Sequence, residues 1–264
     1  MIPLSVVLIV KNEESRLARA LDSVKGWAGE IVVVDDESTD KTREIAARYT
    51  DKIFVRKMDV EGTHRKWSYQ KASNPWIFSL DADEVLTPEL KESITKTVTN
   101  STEHVAFTVP RRNHIGNYWV KWSGQYPARQ IKLMLKDKFK WANEEVHPRA
   151  LPEGTCAHLD GDLLHYTYRD WGDFINKLNG QTTLEARKWH RVYKEKPFKA
   201  WWKVFWGHLI WRMVDRFFRL YIGKKGYRDG YVGFVFATFA SVYWLFTYAK
   251  FWELVKNESS LSRP

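Results

Sequence analysis

Three short, almost wholly apolar runs, Leu4–Val10, Ile31–Val34 and Trp76–Leu80, broken only by Ser5 and Ser79, constrain this chain more than any other feature. A strand that is apolar at nearly every position is covered on both faces, which happens where helices pack on each side of a parallel sheet. Helical patterns follow the runs: Leu17, Leu21 and Val24 after the first, Thr39–Ile45 after the second, and a helix opened by Pro88 after the last. Ile53–Val55 adds a short strand and Gly62–Ala72 a helix. Asn12 is expected to cap the first helix, with Glu13 and Glu14 favouring its positive end. Strands alternating with helices over about a hundred residues predict βαβ units, hence an α/β fold with a mainly parallel sheet. Val105–Pro110 and Gln130–Leu135 read as further strands with an aromatic-rich loop between them, and Asp170–Tyr193 reads as helix.

Acids stand directly after two of the apolar runs: Asp35-Asp36, and Asp81-Ala82-Asp83-Glu84. In open α/β sheets ligands sit beyond the carboxyl ends of strands, so both groups should face one crevice. Two carboxylates one residue apart can share a hard cation while a diphosphate fills its other positions, which suits Mg²⁺ or Mn²⁺. Alternatively, Asp81–Glu84 only caps the helix at Pro88. A dinucleotide enzyme is set aside because Val10–Ser15 holds no glycine. A phosphoacceptor signalling domain is set aside because such domains are about half of this 264-residue length.

The blocks Ser5–Glu13, Val34–Asp40 and Leu80–Glu84, in this order and spacing, resemble family 2 glycosyltransferases of the GT-A fold. Gln130–Leu133, Val146-His147, Leu164–Tyr166 and Tyr227–Phe234 further resemble the lipopolysaccharide inner-core β-glucosyltransferase branch. The resemblance covers nearly the whole chain. It implies a nucleotide-sugar domain in which Asp36 accepts a hydrogen bond from uracil and Ile9, Val10 and Glu13 line the base pocket. It further implies Arg65 or Lys66 near the base or diphosphate, Asp83 on the metal, and Asp81 on the ribose or the metal. The donor would be UDP-glucose, the acceptor an inner-core heptose, and the reaction an inverting single displacement. A polyprenyl phosphate or another envelope glycan is the alternative acceptor; a non-catalytic nucleotide-sugar-binding adaptor is the alternative class.

Such a displacement needs a base for the acceptor hydroxyl, worth roughly 10²–10⁴ in rate. The segment Trp141–Pro148 offers Glu145, Glu144 and His147, and adjacent carboxylates raise each other's proton affinity. Relatives often carry Val-His-Glu here, whereas Pro148 stands in place of that Glu, so the choice among the three stays open. A solvated acidic turn is the other account. His147 and His165 either bind metal, bind acceptor or are structural, and Trp119, Trp122 and Tyr126 either stack on sugars or pack as core.

Charge divides the chain at about residue 195. Between His190 and Arg228 eleven Lys/Arg face only Glu195 and Asp215, which is nearly all of the net charge of +10. Half of the aromatic residues lie in Phe198–Trp252. From Trp206, Leu209, Ile210, Met213, Val214, Phe217, Leu220 and Tyr221 fall on one helical face, with Arg212, Asp215, Arg216 and Arg219 opposite. A basic amphipathic helix with interfacial Trp fits an anionic leaflet. Tyr231–Ala249 carries no charge over 19 residues, and either spans a membrane or dips into it, Thr238, Ser241 and Thr247 favouring the second. These helices would otherwise bury one another or form a homo-oligomer interface. Nucleic acid is excluded as a partner because the apolar face would have no role. The expected division is residues 1–195 for the GT-A domain and 196–264 for a membrane-association module. A single cysteine, Cys156, and an apolar start too short for a secretory signal predict the cytoplasmic face of the inner membrane, peripheral or single-span.

Overall fold

The computed structural model describes residues 1–141, 150–195 and 206–261. The chain forms two compact units, residues 1–112 with 127–166 and residues 113–126 with 167–264. The second unit thus begins ahead of the compositional shift.

In chain order the first unit opens with β1 (Ile2–Val10), α1 (Leu17–Asp22), β2 (Ala28–Asp35), α2 (Thr42–Ala46), β3 (Ile53–Val55), α3 (Glu61–Gln70) and β4 (Trp76–Ser79). It continues with β5 (Glu84–Leu86), α4 (Pro88–Thr99) and β6 (Ala106–Val109). β7 (Arg111–Ile115) and β8 (Tyr118–Trp119), where sequence reading expects loop, lie largely in the second unit's residues 113–126, after which the first unit resumes with β9 (Gln130–Leu135). After β10 (Phe139–Trp141) and β11 (Ala150–Pro152), β12 (Cys156–His158) and β13 (Leu163–Tyr168) follow.

Seven strands make the main sheet in the order β12-β6-β9-β4-β1-β2-β3. β1 pairs parallel with both β2 and β4, while β9 runs antiparallel between β4 and β6. Alternate residues of β1 feed two cores. Leu4, Val6, Leu8 and Val10 join Leu17, Leu21, Leu90 and Ile94 on one face; Val7 joins Val32, Val34, Tyr69 and Ile77 on the other. That two-sided burial is why the run is apolar but for Ser5, whose hydroxyl donates to Glu30. α4 starts where Thr87 Oγ1 accepts the Leu90 N–H and Pro88 stands at the first turn, and it buries Leu90, Ile94 and Val98 at four-residue spacing.

Asn12 does not cap α1. It adopts a left-handed backbone (φ 52°), and its side chain accepts the Thr39 N–H at 2.8 Å, while α1 begins five residues later. Asparagine tolerates that conformation better than other side chains. The turn therefore ties the β1 loop to the β2 loop.

The second unit is mainly helical. α5 (Trp171–Glu195) buries Phe174, Leu178, Thr182 and Ala186 along one stripe. α6 (Trp206–Phe218) runs through a π-helical turn, Arg219–Gly223, and a 3₁₀ turn, Gly226–Asp229, into α7 (Gly230–Leu261). Phe174 meets Phe236 and Phe239, and Trp189 stacks on Trp244 with ring centres 5.8 Å apart. Phe217 and Tyr221 meet Phe234. Buried Asp229 accepts the N–H groups of Trp122 and Lys121 at 2.8 and 3.3 Å. At Gly233 an added Cβ would lie 1.9 Å from the Gly226 carbonyl oxygen, so only glycine fits there.

Candidate active site

β1 lies between β4 and β2, so the chain's strand order reverses beside it. The crevice at such a reversal is where open α/β sheets take ligands. Because β2 and β4 both run parallel to β1, Asp36 and Asp81–Asp83 emerge at one edge. The strand ends carrying them are two inter-strand spacings apart, about 10 Å.

Asp35 and Asp36 divide the work. Asp35 is fully buried and its Oδ2 accepts the Ser38 N–H, which closes the turn. Asp36 Oδ1 accepts the Met58 N–H at 2.7 Å, and Oδ2 accepts from Lys11 Nζ at 2.9 Å. Burial pushes the Asp36 carboxyl up, but those two partners outweigh it and hold it below its ordinary value. The Asp36 N–H donates to the Val10 carbonyl. Ile9 lies on the sheet face shared with Val7, Val34 and Tyr69 and stays partly exposed, whereas the Val10 side chain lies in the core, so only its backbone faces the edge. The Glu13 N–H donates to Thr42 Oγ1 at 2.7 Å, and both Glu13 carboxylate oxygens accept from Arg16 at 2.8 Å.

Arg16 links Glu13 to the acidic turn after β4, its Nη1 lying 3.6 Å from Asp83 Oδ2. His165 Nε2 is at the same distance from that oxygen. Its position follows from strand pairing: β5 continues the acidic turn and pairs antiparallel with β13, with His165 opposite Glu84. Burial raises the Asp83 carboxyl, yet His165 and, more weakly, Arg16 carry it below its usual value.

Asp81 is held differently. Lys132, 3% exposed on β9, donates to Asp81 Oδ2 at 2.8 Å and to Glu84 Oε2 at 2.6 Å. Glu84 Oε2 also accepts the Asp81 N–H, which fixes the turn. Burial lifts the Glu84 carboxyl above its ordinary value against the pull of Lys132, while Lys132 and Arg65 outweigh burial at Asp81 and hold it well below. Arg65 hydrogen-bonds Glu61 and lies 5.1 Å over the Trp141 ring. Its neighbour Lys66 instead lines a separate pocket with Tyr69, Ile77, Met134 and Phe139. Of the two cations, Arg65 is thus the one whose charge reaches the acids.

The donor set suits an incomplete cation site. Among the described residues no group of three His, Cys, Asp or Glu side chains gathers to hold a metal. Asp83 with His165 beside it would supply one or two ligands, which fits a hard cation that takes its remaining oxygens from a bound diphosphate. Glu144, Glu145 and His147 lie outside the described residues. Trp119 and Tyr126 pack edge to face within the second unit.

Sequence reading misses Arg16 and Lys132, and it places Glu84 in the acidic group without giving it a role. A lysine inside the otherwise apolar run Gln130–Leu135 is the signal that could have found Lys132, because a charge in a central strand is retained only when paired.

The model of glycosyl transferase family 2 matches residues 5–151, more than half of the chain and all of the acidic edge just described. The chain is a family 2 glycosyltransferase. This glycosyltransferase is 29% identical over 259 residues to the lipopolysaccharide core biosynthesis glycosyltransferase LpsC of Rhizobium meliloti, covering 96% of the one chain and 93% of the other. It is 27% identical to an uncharacterized glycosyltransferase of Rickettsia typhi, over 89% and 84% of the two chains. Among solved structures, glucosyl-3-phosphoglycerate synthase of Mycobacterium tuberculosis with phosphoglyceric acid aligns at 16% identity and a TM-score of 0.41, over 54% and 61% of the chains. The same synthase with Mg²⁺ and UDP aligns at 20% and 0.36, over 41% and 43%. S. aureus TarS with UDP aligns at 22% and 0.34, and this glycosyltransferase spans 36% of that chain. The fold of the glycosyltransferase is α/β, of the GT-A kind, with an apolar C-terminal helix.

Proposed function

We propose that the enzyme moves a hexose, glucose from UDP-glucose, onto the inner core of lipopolysaccharide by inverting displacement at the cytoplasmic face of a membrane. The observation that carries this is the placement of the acids: Asp36 and Asp83 follow strands that run parallel to β1 on either side of it, and Arg16 links Glu13, just past β1, to Asp83. A base-binding carboxylate and a diphosphate-end carboxylate on one edge is the arrangement a nucleotide sugar needs. The near full-length likeness to LpsC, itself named for lipopolysaccharide core biosynthesis, supports the acceptor class.

In this reading Asp36 accepts from the uracil ring, with Ile9, the Val10 backbone and Glu13 around it. Lys132 and Glu84 lock the Asp81 turn, so that Asp81 meets the ribose without first having to reorganise. Mg²⁺ or Mn²⁺ on Asp83 would offset the charge that develops on the departing diphosphate, an effect on the order of several kcal/mol. Arg65 adds positive charge beside the same acids. The acceptor proton goes to Glu145 or Glu144.

Asp83→Ala tests the proposal directly. Mn²⁺-dependent transfer from UDP-glucose should fall by at least about 10²-fold, with circular dichroism unchanged. Transfer that survives the change would contradict the role of Asp83, and a wild-type chain that binds UDP-glucose yet never transfers would make it an adaptor. A thermal-shift panel of nucleotide sugars settles the donor, since ligand at 100 times its dissociation constant adds about 2.7 kcal/mol.

A further inference from the structure

α7 is long and apolar enough to cross a membrane by length and composition, yet only 22% of its most apolar stretch is buried inside the chain. Its exposed large side chains, Tyr231, Phe234, Leu245, Phe246 and Trp252, fall within about 120° when successive residues are set 100° apart. The opposite arc is small and buried, at Gly233, Ala237, Ser241 and Thr247, with Phe251. α6 repeats the design: Ile210, Trp211, Val214 and Phe218 are exposed within about 100°. Each helix carries an apolar stripe, that of α7 running from Tyr231 to Trp252, that no described residue of its own unit covers.

α5 decides how such stripes meet a bilayer. It packs on α7 at several points along its length: Phe174 at Phe236 and Phe239, Trp189 at Trp244, Tyr193 at Phe251. Lys250 Nζ fastens the pair, donating to the Asn179 carbonyl at 2.6 Å and the hydroxyls of Thr182 and Thr183 at 2.8 Å. Yet α5 carries eight charged residues, with Arg187, Lys188, Arg191 and Lys194 exposed. A spanning α7 would draw them into the hydrocarbon at roughly 2.5–3.5 kcal/mol for each one near the centre. Shedding α5 instead would unpair Lys250 and the ring contacts.

We propose that α6 and α7 lie in the plane of an anionic bilayer surface, apolar stripes down, with α5 kept on the water side, so that α7 does not cross. This rests on the membrane association proposed above and specifies its geometry. The occupant is lipid rather than a second copy because Arg219, Lys224, Lys225 and Arg228 are all exposed in the turns that join the two helices. A symmetric dimer would set like charges against each other, whereas anionic headgroups gain about 1 kcal/mol for each Lys or Arg near the surface.

The test uses the full chain with Cys156→Ser, so that added cysteines are unique. Arg228→Cys and Lys256→Cys mark the two ends of α7, about 42 Å apart at 1.5 Å per residue, beyond the roughly 30 Å hydrocarbon core. In inverted membrane vesicles from expressing cells, a membrane-impermeant maleimide should label both ends before detergent is added. Labelling of one end only until detergent would overturn the in-plane geometry and leave membrane association standing. In parallel, the purified chain should float with phosphatidylcholine–phosphatidylglycerol vesicles, and Trp211→Glu, at an exposed position, should weaken partitioning roughly tenfold or more. Failure of the unaltered chain to float, or flotation untouched by Trp211→Glu with a stable dimer in solution, would refute the lipid surface itself.

Discussion

The acidic edge of the first unit and the helical tail of the second break opposite rules of a water-soluble protein. The edge hides charge: Lys132 and Glu84 are buried among apolar strands, each answered by a partner within 2.8 Å. The tail displays grease: Trp211 is 67% and Tyr231 77% exposed. Buried pairs hold their geometry because leaving either partner alone is costly, so the edge arrives already shaped for a charged ligand. Exposed stripes have no such internal answer, and in the geometry proposed above lipid supplies it. Recognition in the first unit is thus fixed by electrostatics, and in the second by surface.

The contrast is broken most severely at Lys132. Lys132→Met keeps the length and removes the charge, stranding Asp81 and Glu84. A loss of about 3–5 kcal/mol is expected in urea denaturation, with Glu84→Gln in the same chain restoring part of it. If Lys132→Met alone proves neutral, the edge is not held by its charges. Next comes Asp229→Ala, which removes the acceptor of the Trp122 and Lys121 N–H groups and should cost about 1–3 kcal/mol. Proteolysis within residues 113–126 should quicken in that variant, and an unchanged digestion pattern would count against the anchor.

The smallest effect is a pH dependence. Burial raises the Glu30 carboxyl, but Lys52, Ser5 and Ser73 more than offset it and bring it from 4.5 to about 2. A carboxyl depressed on folding stabilises above its unfolded value, and that contribution fades as pH falls from 4.5 through about 2. Glu30→Gln should therefore be less stable than the unaltered chain at neutral pH and converge with it in acid. Parallel melting curves across that window would show that the cluster is not linked to protons.

Much of the edge is legible in the sequence because a strand buried on both faces must be apolar at nearly every residue, and acids directly after it have no core to join. That logic finds Asp36 and Asp83 and the βαβ order. It fails at Asn12, since an asparagine before two acids satisfies either a helix cap or a left-handed turn, and only the distant Thr39 N–H decides. It fails again at β7 and β8, whose aromatic and basic residues alternate too irregularly to read as strands. His165 reaches Asp83 only through the β5–β13 pairing, 80 residues apart in sequence, and no local pattern carries such a register. In the tail the stripes are legible by periodicity, but Lys250 is not: an isolated lysine does not announce that it will seek the carbonyl of Asn179.

Gly233 gives the tail a mechanical property. With its α-carbon pressed against the Gly226 carbonyl, the corner joining the last two helices has no slack for even one methyl group. The corner therefore behaves as a rigid bracket rather than a hinge, and the angle between the two greasy ridges is set before either touches anything. Alanine at that position would act as a shim, spreading the bracket while leaving every ridge residue in place.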